Sequence, residues 1–360
     1  MKLIDKYILK RYLATFSVML IMFIPIGIII DVSEKINKMM ANKVPFKTIL
    51  LYYVDFTIYF ANFLFPIFLF LSIIWFTSKL ANNTEVIAIL SSGISFTRFL
   101  RPYIIGATIV SLFAILMGFY LAPRASEGFN NFRYMYLLNN GKNELRENSD
   151  VYRQTSSDEF IYAGSFDQEA SMAFSFSMEK FKGEKLFAKI SADRIRWNPK
   201  KKNYTLFGYT KRIVGEFDDR IETAVEKDTV FKFELQDLTP TVYVAETLTF
   251  GDLIDFIDKE KKRGSSNINT YQVVLYKKFS VPVSAFILTI IAVAVSSMKR
   301  RGGMGMNLAL GILIAFGFVF FDKIFGVLAQ KATIQPLIAV WIPNIAFGIL
   351  AFYLLRNAKR

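Results

Sequence analysis

The stretch 64-LFPIFLFLSIIWFTSKLANNTEVIAILSSGISFTRFLRPYIIGATIV-110 decides how the chain is organised. Both ends are apolar enough to lie in hydrocarbon, whereas the middle, 79-KLANNTEVIAILSSGISFTRFLRP-102, holds an acid, a glycine and two arginines. Such a segment reads as a short polar helix at a membrane surface, joining two spans. Working outward, apolar runs occur at about 11–31, 49–78, 99–122, 273–298, 304–328 and 334–355. Each reaches the roughly 20 residues that a helix needs to cross roughly 30 Å of hydrocarbon. Six transmembrane helices are therefore expected. The composition agrees, since 53% apolar residues and 37 Phe in 360 residues exceed what one soluble core uses.

The net charge of +14 is unevenly placed. Acids and bases nearly cancel between residues 123 and 270, so the excess sits at the span ends. Lys2, Lys6, Lys10 and Arg11, then Lys79, Arg98 and Arg101, then Lys299, Arg300 and Arg301, then Arg356, Lys359 and Arg360 fall on one side of a six-span topology. By the positive-inside rule that side is the cytoplasm, with both termini inside. Lys35, Lys38, Lys43 and Lys47, in the first outer loop, break the rule locally.

Between the third and fourth spans lies an extracytoplasmic domain with strand-like text. The segments 159-EFIYAG-164, 171-SMAFSFSMEKF-181, 185-KLFAKISADRIRW-197 and 203-NYTLFGYTKRIVGEF-217 alternate apolar and polar residues. They are separated by turn signals such as 198-NPKKKN-203, where Lys200–Lys202 read as a solvated hairpin tip. Repeated short strands suggest an antiparallel sandwich or open barrel, a jelly-roll-like β domain. One parity of the second segment would set Met172, Phe174, Phe176 and Met178 on a single face, either as a lipid groove or as ordinary core. After the strands, 251-GDLIDFIDKEKKRG-264 reads as a short amphipathic helix with Leu253, Ile254 and Ile257 on one face and Gly264 as its stop. The organisation expected is 1–122 for spans one to three, with the inner helix near 80–97, 123–270 for the β domain, and 271–360 for spans four to six.

With no Cys and no His, the chain can hold no disulfide, thiol nucleophile, His-based triad or Cys/His zinc site. It also lacks a Gly-rich Walker loop and a G-x-S-x-G elbow. No catalytic residues, no metal and no nucleic-acid partner are expected.

Seven motifs in order resemble the permease family (LptF/LptG, YjgP/YjgQ type) of the lipopolysaccharide-export ABC transporter. They are 5-DKYILKRYLATF-16, 84-TEVIAILSSGIS-95, 122-APRA-125, 271-YQVVLYKKFSVPVSA-285, 300-RRGGMGMNLALGI-312, 315-AFGFVFFDKIFG-326 and 341-WIPN-344. The GFVFF and DKIFG runs, with the amphipathic segment before span four, favour the G-type paralogue. The resemblance implies a permease of the bacterial inner (cytoplasmic) membrane, with a periplasmic domain and no ATPase of its own. ATP and Mg would be bound by a separate cytoplasmic LptB-like ATPase dimer, so this chain needs no cofactor. The other implied partners are lipopolysaccharide, an LptF-like sister permease and an LptC-like membrane-anchored bridge protein.

The resemblance also assigns residues. Glu85 matches the family's acidic residue that pairs with a base of the ATPase, Val86, Ile87, Ile89 and Leu90 would fill the ATPase groove, and Gly93 would end the helix. Lys35, Lys38, Arg124 and Arg133 would attract lipid phosphates, although Asp31 stands where relatives tend to present a base. Met19, Met22, Phe23, Phe316, Phe318, Phe320 and Phe321, on spans one and five, would border an acyl-chain cavity. Each assignment has a plain counterpart: an interfacial helix with a solvated acid, headgroup-anchoring lysines, and ordinary lipid-facing Met and Phe. The alternative for the whole chain is a non-transporting membrane anchor whose outer β domain binds an envelope partner or lipid.

Overall fold

The computed structural model describes every residue except 1, 138–148, 157, 168–169, 199–202, 216, 232, 234–242, 266, 298–302 and 359–360. The Lys200–Lys202 tip, Gly302, and the bases Lys299, Arg300, Arg301, Lys359 and Arg360 lie outside the described residues. In chain order the elements begin with α1 (Leu3–Ala41), α2 (Phe46–Asn82), α3 (Glu85–Ser91) and α4 (Phe96–Leu116). A π turn (Met117–Leu121), α5 (Ala122–Phe132) and a second π turn (Arg133–Leu137) follow. The strands are β1 (Ser149–Ser156), β2 (Glu159–Asp167), β3 (Met172–Lys182), β4 (Lys185–Asn198), β5 (Asn203–Ile213) and β6 (Arg220–Thr229). The chain closes with α6 (Val244–Thr247), α7 (Phe250–Lys262), α8 (Ile268–Ser296), α9 (Gly303–Gln330) and α10 (Pro336–Ala358). Two compact units result, one of Met1–Phe129, Glu246–Phe250 and Asn269–Arg360, the other of Asn130–Ala245 and Gly251–Ile268.

The first unit is helical. It holds α1, α2, α8, α9 and α10 and the run Phe96–Leu137 as far as Phe129, and among the described residues these are the six helices long and apolar enough to cross a membrane. The middle of α2 is the centre of the bundle, with Leu69, Phe70, Ile73 and Ile74 fully buried, and both α1 and α9 pack on it. Two glycines set how closely the helices approach. A Cβ at Gly106 would overlap the Tyr12 ring of α1, and one at Gly311 would overlap Ile74 of α2. Small residues at such crossings are how helices gain contact where lipid tails offer no hydrophobic driving force.

The second unit is built on one antiparallel sheet in the order β1-β2-β3-β4-β5-β6, so each strand pairs with its neighbours in sequence. Among the described residues the strands run as an antiparallel meander, in keeping with the antiparallel β domain expected between spans three and four. The four strands read from alternation are β2 to β5, while β1 and β6 are additional. On the exposed side of the sheet Glu159 pairs with Lys180 at 2.8 Å and holds that ammonium above its usual range. The amphipathic α7 buries Leu253 and Ile257 but leaves Ile254 exposed, and Gly264, at φ +66°, follows its end.

Burial in the sheet does not follow one parity. Ala173 and Phe176 are buried on β3 while Phe174 between them is exposed, and Ala192 and Ile195 are buried on β4 while Asp193 and Arg194 are exposed. The register pairs Phe174 with Arg194 and Phe176 with Ala192, then Arg194 with Phe207, which sets Ser175, Asp193 and Gly208 in one line across three strands. Ser175 (φ +51°) and Gly208 (φ +66°) are both left-handed, and the Asp193 carboxylate fills the space beside Gly208 that a Cβ would need. A left-handed residue turns the pleat, so the inward set changes parity at this line. The expectation that Met172, Phe174, Phe176 and Met178 share a face is therefore corrected. Phe176 and Met178 join the core with Ile195, Tyr204 and Leu206, while Phe174 is 38% exposed and Met172 half-buried.

Candidate functional site

The short helix α3 is bracketed by two left-handed residues, Thr84 at φ +62° and Gly93 at φ +85°. Gly93 ends the helix as its position predicts, its N–H donating to the Leu90 carbonyl at 3.1 Å. Thr84 is β-branched, and holding it there costs of order 1–3 kcal/mol. Residues three and four apart share a helix face, so Val86, Ile89 and Leu90 turn together. That face meets the chain's own core, where Val86 is fully buried and Ile89 and Leu90 pack against the same cluster. Val86 is thus turned into the chain's own core, while Ile89 and Leu90 stay half-buried beside it. Ile87, 49% exposed, is the apolar side chain that points away, and Glu85 beside it accepts a hydrogen bond from the Asn83 amide at 3.3 Å.

An ion pair missed by the sequence reading fixes the helix that follows. Arg98, in the first turn of α4, donates from both terminal nitrogens to Asp5 of α1, at 2.8 and 2.6 Å, and the Lys2 N–H donates to the same carboxylate at 2.9 Å. Asp5 is buried, and a bidentate guanidinium fixes orientation as well as charge. Arg98→Leu should speed amide exchange at both Lys2–Tyr12 and Glu85–Phe99, and Asp5→Asn combined with Arg98→Gln should restore much of the protection. Unchanged exchange in Arg98→Leu would mean that the pair is not what holds α4 to α1.

At the other end of α1, Lys35 and Lys38 occupy different surroundings. Lys35 is ion-paired with Asp31 one turn earlier, and Tyr52 of α2 donates to Asp31 at 3.0 Å. The Lys35 ammonium lies 5.8 and 6.0 Å from the ring centroids of Tyr52 and Phe129, which stack on each other at 5.6 Å. Lys38 and Arg124 are exposed, and Arg133 is half-buried in the second π turn, in the β unit. Asp322 is paired with Lys277 at 2.7 Å, and Asp55 lies against Gly128.

The apolar candidates on α1 and α9 divide by exposure. Met22 is 61% exposed, Phe316 and Phe320 are both 63%, and Phe23 and Phe321 are also exposed, while Met19 is half-buried. Phe318 is the exception. It is buried, with its ring edge-on to Phe347 of α10 at 5.2 Å. Both α1 and α9 pack on α2, and each carries exposed apolar side chains.

A family model described as lipopolysaccharide export system permease LptF/LptG matches residues 6–357. The chain is also 28% identical, over 113 residues, to the lipopolysaccharide export system permease protein LptG of Escherichia coli strain K12. The same identity and length hold for the LptG protein of Escherichia coli O6:H1 strain CFT073. Each alignment covers 31% of this chain and 31% of the relative, so the matched stretch spans about a third of the length of these curated relatives.

Proposed function

Since the chain belongs to the LptF/LptG family of lipopolysaccharide export permeases, we propose that it is one permease subunit of an ABC transporter, driven by a separate ATPase. It is a multi-pass inner-membrane protein. In this proposal it extracts lipopolysaccharide from the inner membrane and passes it to a periplasmic bridge toward the outer membrane. Its partners are then an LptF-like sister permease, an LptB-like ATPase dimer and an LptC-like bridge protein, with this chain in the G-type role. The observation that carries the proposal is the extent of the family match, which runs from α1 through the β unit to α10. A plain anchor for a β domain has no use for α3, whose inner face is rooted in the spans and whose outer face offers Ile87 and Glu85.

Mechanically, an ATPase pressing on Glu85 and Ile87 moves α3 as part of the bundle, because Val86 lies in its core and Ile89 and Leu90 pack against it. The Asp5–Arg98 pair then relays that movement to α1. One outward apolar face of the unit belongs to α1, so the surface offered to acyl chains changes with the ATPase state. To test the proposal, the chain is purified in mild detergent and its companions and lipids identified by mass spectrometry, alongside depletion of the chain in cells. Recovery of an ATPase, a second permease and lipopolysaccharide is expected. Absence of both ATPase and glycolipid, with normal surface lipopolysaccharide after depletion, would sink it.

The Lys35–Asp31 pair makes a separate prediction. Asp31→Asn leaves the Lys35 ammonium without its carboxylate, and an anionic lipid phosphate becomes the available counter-ion. One extra basic contact near a membrane surface is worth about 1 kcal/mol, or roughly 5-fold in binding. Photo-crosslinking to lipopolysaccharide beside Lys35 should rise by that order at low salt and fall back at high salt. No change at low salt would make Lys35 a structural partner of Asp31 alone.

A further inference from the structure

A cavity of about 270 Å³ lies within the helical unit, and three lysines meet in its wall. They are in different states of compensation. Lys277 is ion-paired with Asp322 at 2.7 Å. Lys278 is only 9% exposed, and its ammonium has one acceptor among the described residues, the Gly118 carbonyl at 2.7 Å. Lys323 sits over the Phe63 ring, 4.7 Å from its centroid, and among the described residues it has no carboxylate at ion-pair distance. Glu246 is the second acid in the wall, so three ammonium groups face two carboxylates.

Ammonium groups among membrane helices are costly and almost always pair or line a path for a charged species. The Gly118 carbonyl belongs to the π turn Met117–Leu121, and single π turns inside long helices recur at functional sites. The ligand that balances this wall is an anion with several acceptor oxygens, since Lys278 has two N–H bonds left to give, Lys323 has three, and Asn62 adds an amide. Size narrows it further. The volume falls just below the roughly 300–1,000 Å³ of drug-sized sites, which leaves room for a headgroup and none for acyl chains.

We propose that this cavity is a phosphate-binding site inside the single subunit, taking a phosphomonoester carried by a lipid headgroup or as free phosphate. It is distinct from the outward faces of α1 and α9 and does not depend on the export reading. The test uses the full chain, purified with its co-purifying subunits in mild detergent, and isothermal titration with four probes. These are dioctanoyl phosphatidic acid, inorganic phosphate, dioctanoyl phosphatidylcholine and dioctanoylglycerol. Phosphatidic acid should bind once per chain, and Lys278→Met combined with Lys323→Met should weaken binding about a hundredfold or more, since the charged donors of both ammonium groups are lost.

Equal affinity for inorganic phosphate assigns the site to the free anion, and preference for phosphatidic acid assigns it to a headgroup. Both outcomes support the proposal. Should the double variant fail to fold, hydrogen exchange on the unaltered protein decides, with phosphatidic acid expected to slow amides at 114–122 and 274–284. The proposal is overturned if dioctanoylglycerol or phosphatidylcholine binds as tightly as phosphatidic acid, if neither phosphate probe binds or protects, or if an intact double variant binds undiminished.

Discussion

Glu85→Lys is expected to abolish lipopolysaccharide export and to release the ATPase from the purified complex. The half-buried Glu85 carboxylate at the start of α3 meets a basic residue of the partner in the proposed docking, and reversal replaces attraction with repulsion. Losing one member of a desolvated pair costs roughly 3–5 kcal/mol, which is about 10²–10⁴-fold in retention of the partner. The neighbouring side chains separate docking from folding. Ile87→Asp should also weaken retention, because Ile87 is the apolar side chain that points outward. Val86→Ala should instead lower the thermal stability of the chain, since Val86 lies in its own core, while the ATPase stays bound. The measurement is the ATPase-to-permease ratio after detergent extraction, with growth of a strain dependent on the variant. Normal growth and a normal ratio in Glu85→Lys would remove α3 from the docking site. Equal loss of the ATPase in Val86→Ala and Ile87→Asp would mean that folding, not docking, is being read.

The difference between Val86 and Ile87 marks where sequence reasoning stops. That α3 exists and ends at Gly93 is legible, because a polar break between two spans and a glycine at the turn are local signals. Which side of a seven-residue helix belongs to the bundle and which to a partner is not legible, since both sides of EVIAILS carry apolar residues. The six spans are legible for a simpler reason, as hydrocarbon thickness alone demands their length. Asp5 and Arg98 stand 93 residues apart, and no spacing rule joins residues so distant. Lys277 and Lys278 lie in a quoted motif, yet only the fold brings Lys323 to the same wall. In the β unit, β6 escaped because RIETAVEKDT is largely exposed along its length and so shows no clean apolar alternation.

The parity change at Ser175 yields the other large effect. Phe176 is 1% exposed, with the Phe231 and Phe233 rings at 5.9 and 6.3 Å, so Phe176→Ala empties a packed site. Truncating a buried Phe typically costs about 3–5 kcal/mol. Phe174, two residues away, is partly solvated and stands outside that cluster, so Phe174→Ala should stay within about 1 kcal/mol. Hydrogen exchange in the intact protein reads the two variants, with the amides of β3 to β5 exchanging at least about a hundredfold faster in Phe176→Ala and little faster in Phe174→Ala. Equal effects would mean that the strand keeps a single parity and that the left-handed Ser175 does not turn it. The same geometry divides the lipid question. A photoreactive residue at Phe174 faces outward and should capture lipopolysaccharide when ATP is supplied, if lipid crosses the sheet on that side. At Phe176 the reactive group would meet protein first, so capture there in a folded protein would require the sheet to open its core. Capture at Phe174 without ATP would indicate passive binding, and no capture at either position in a protein that still exports would move the lipid path off β3.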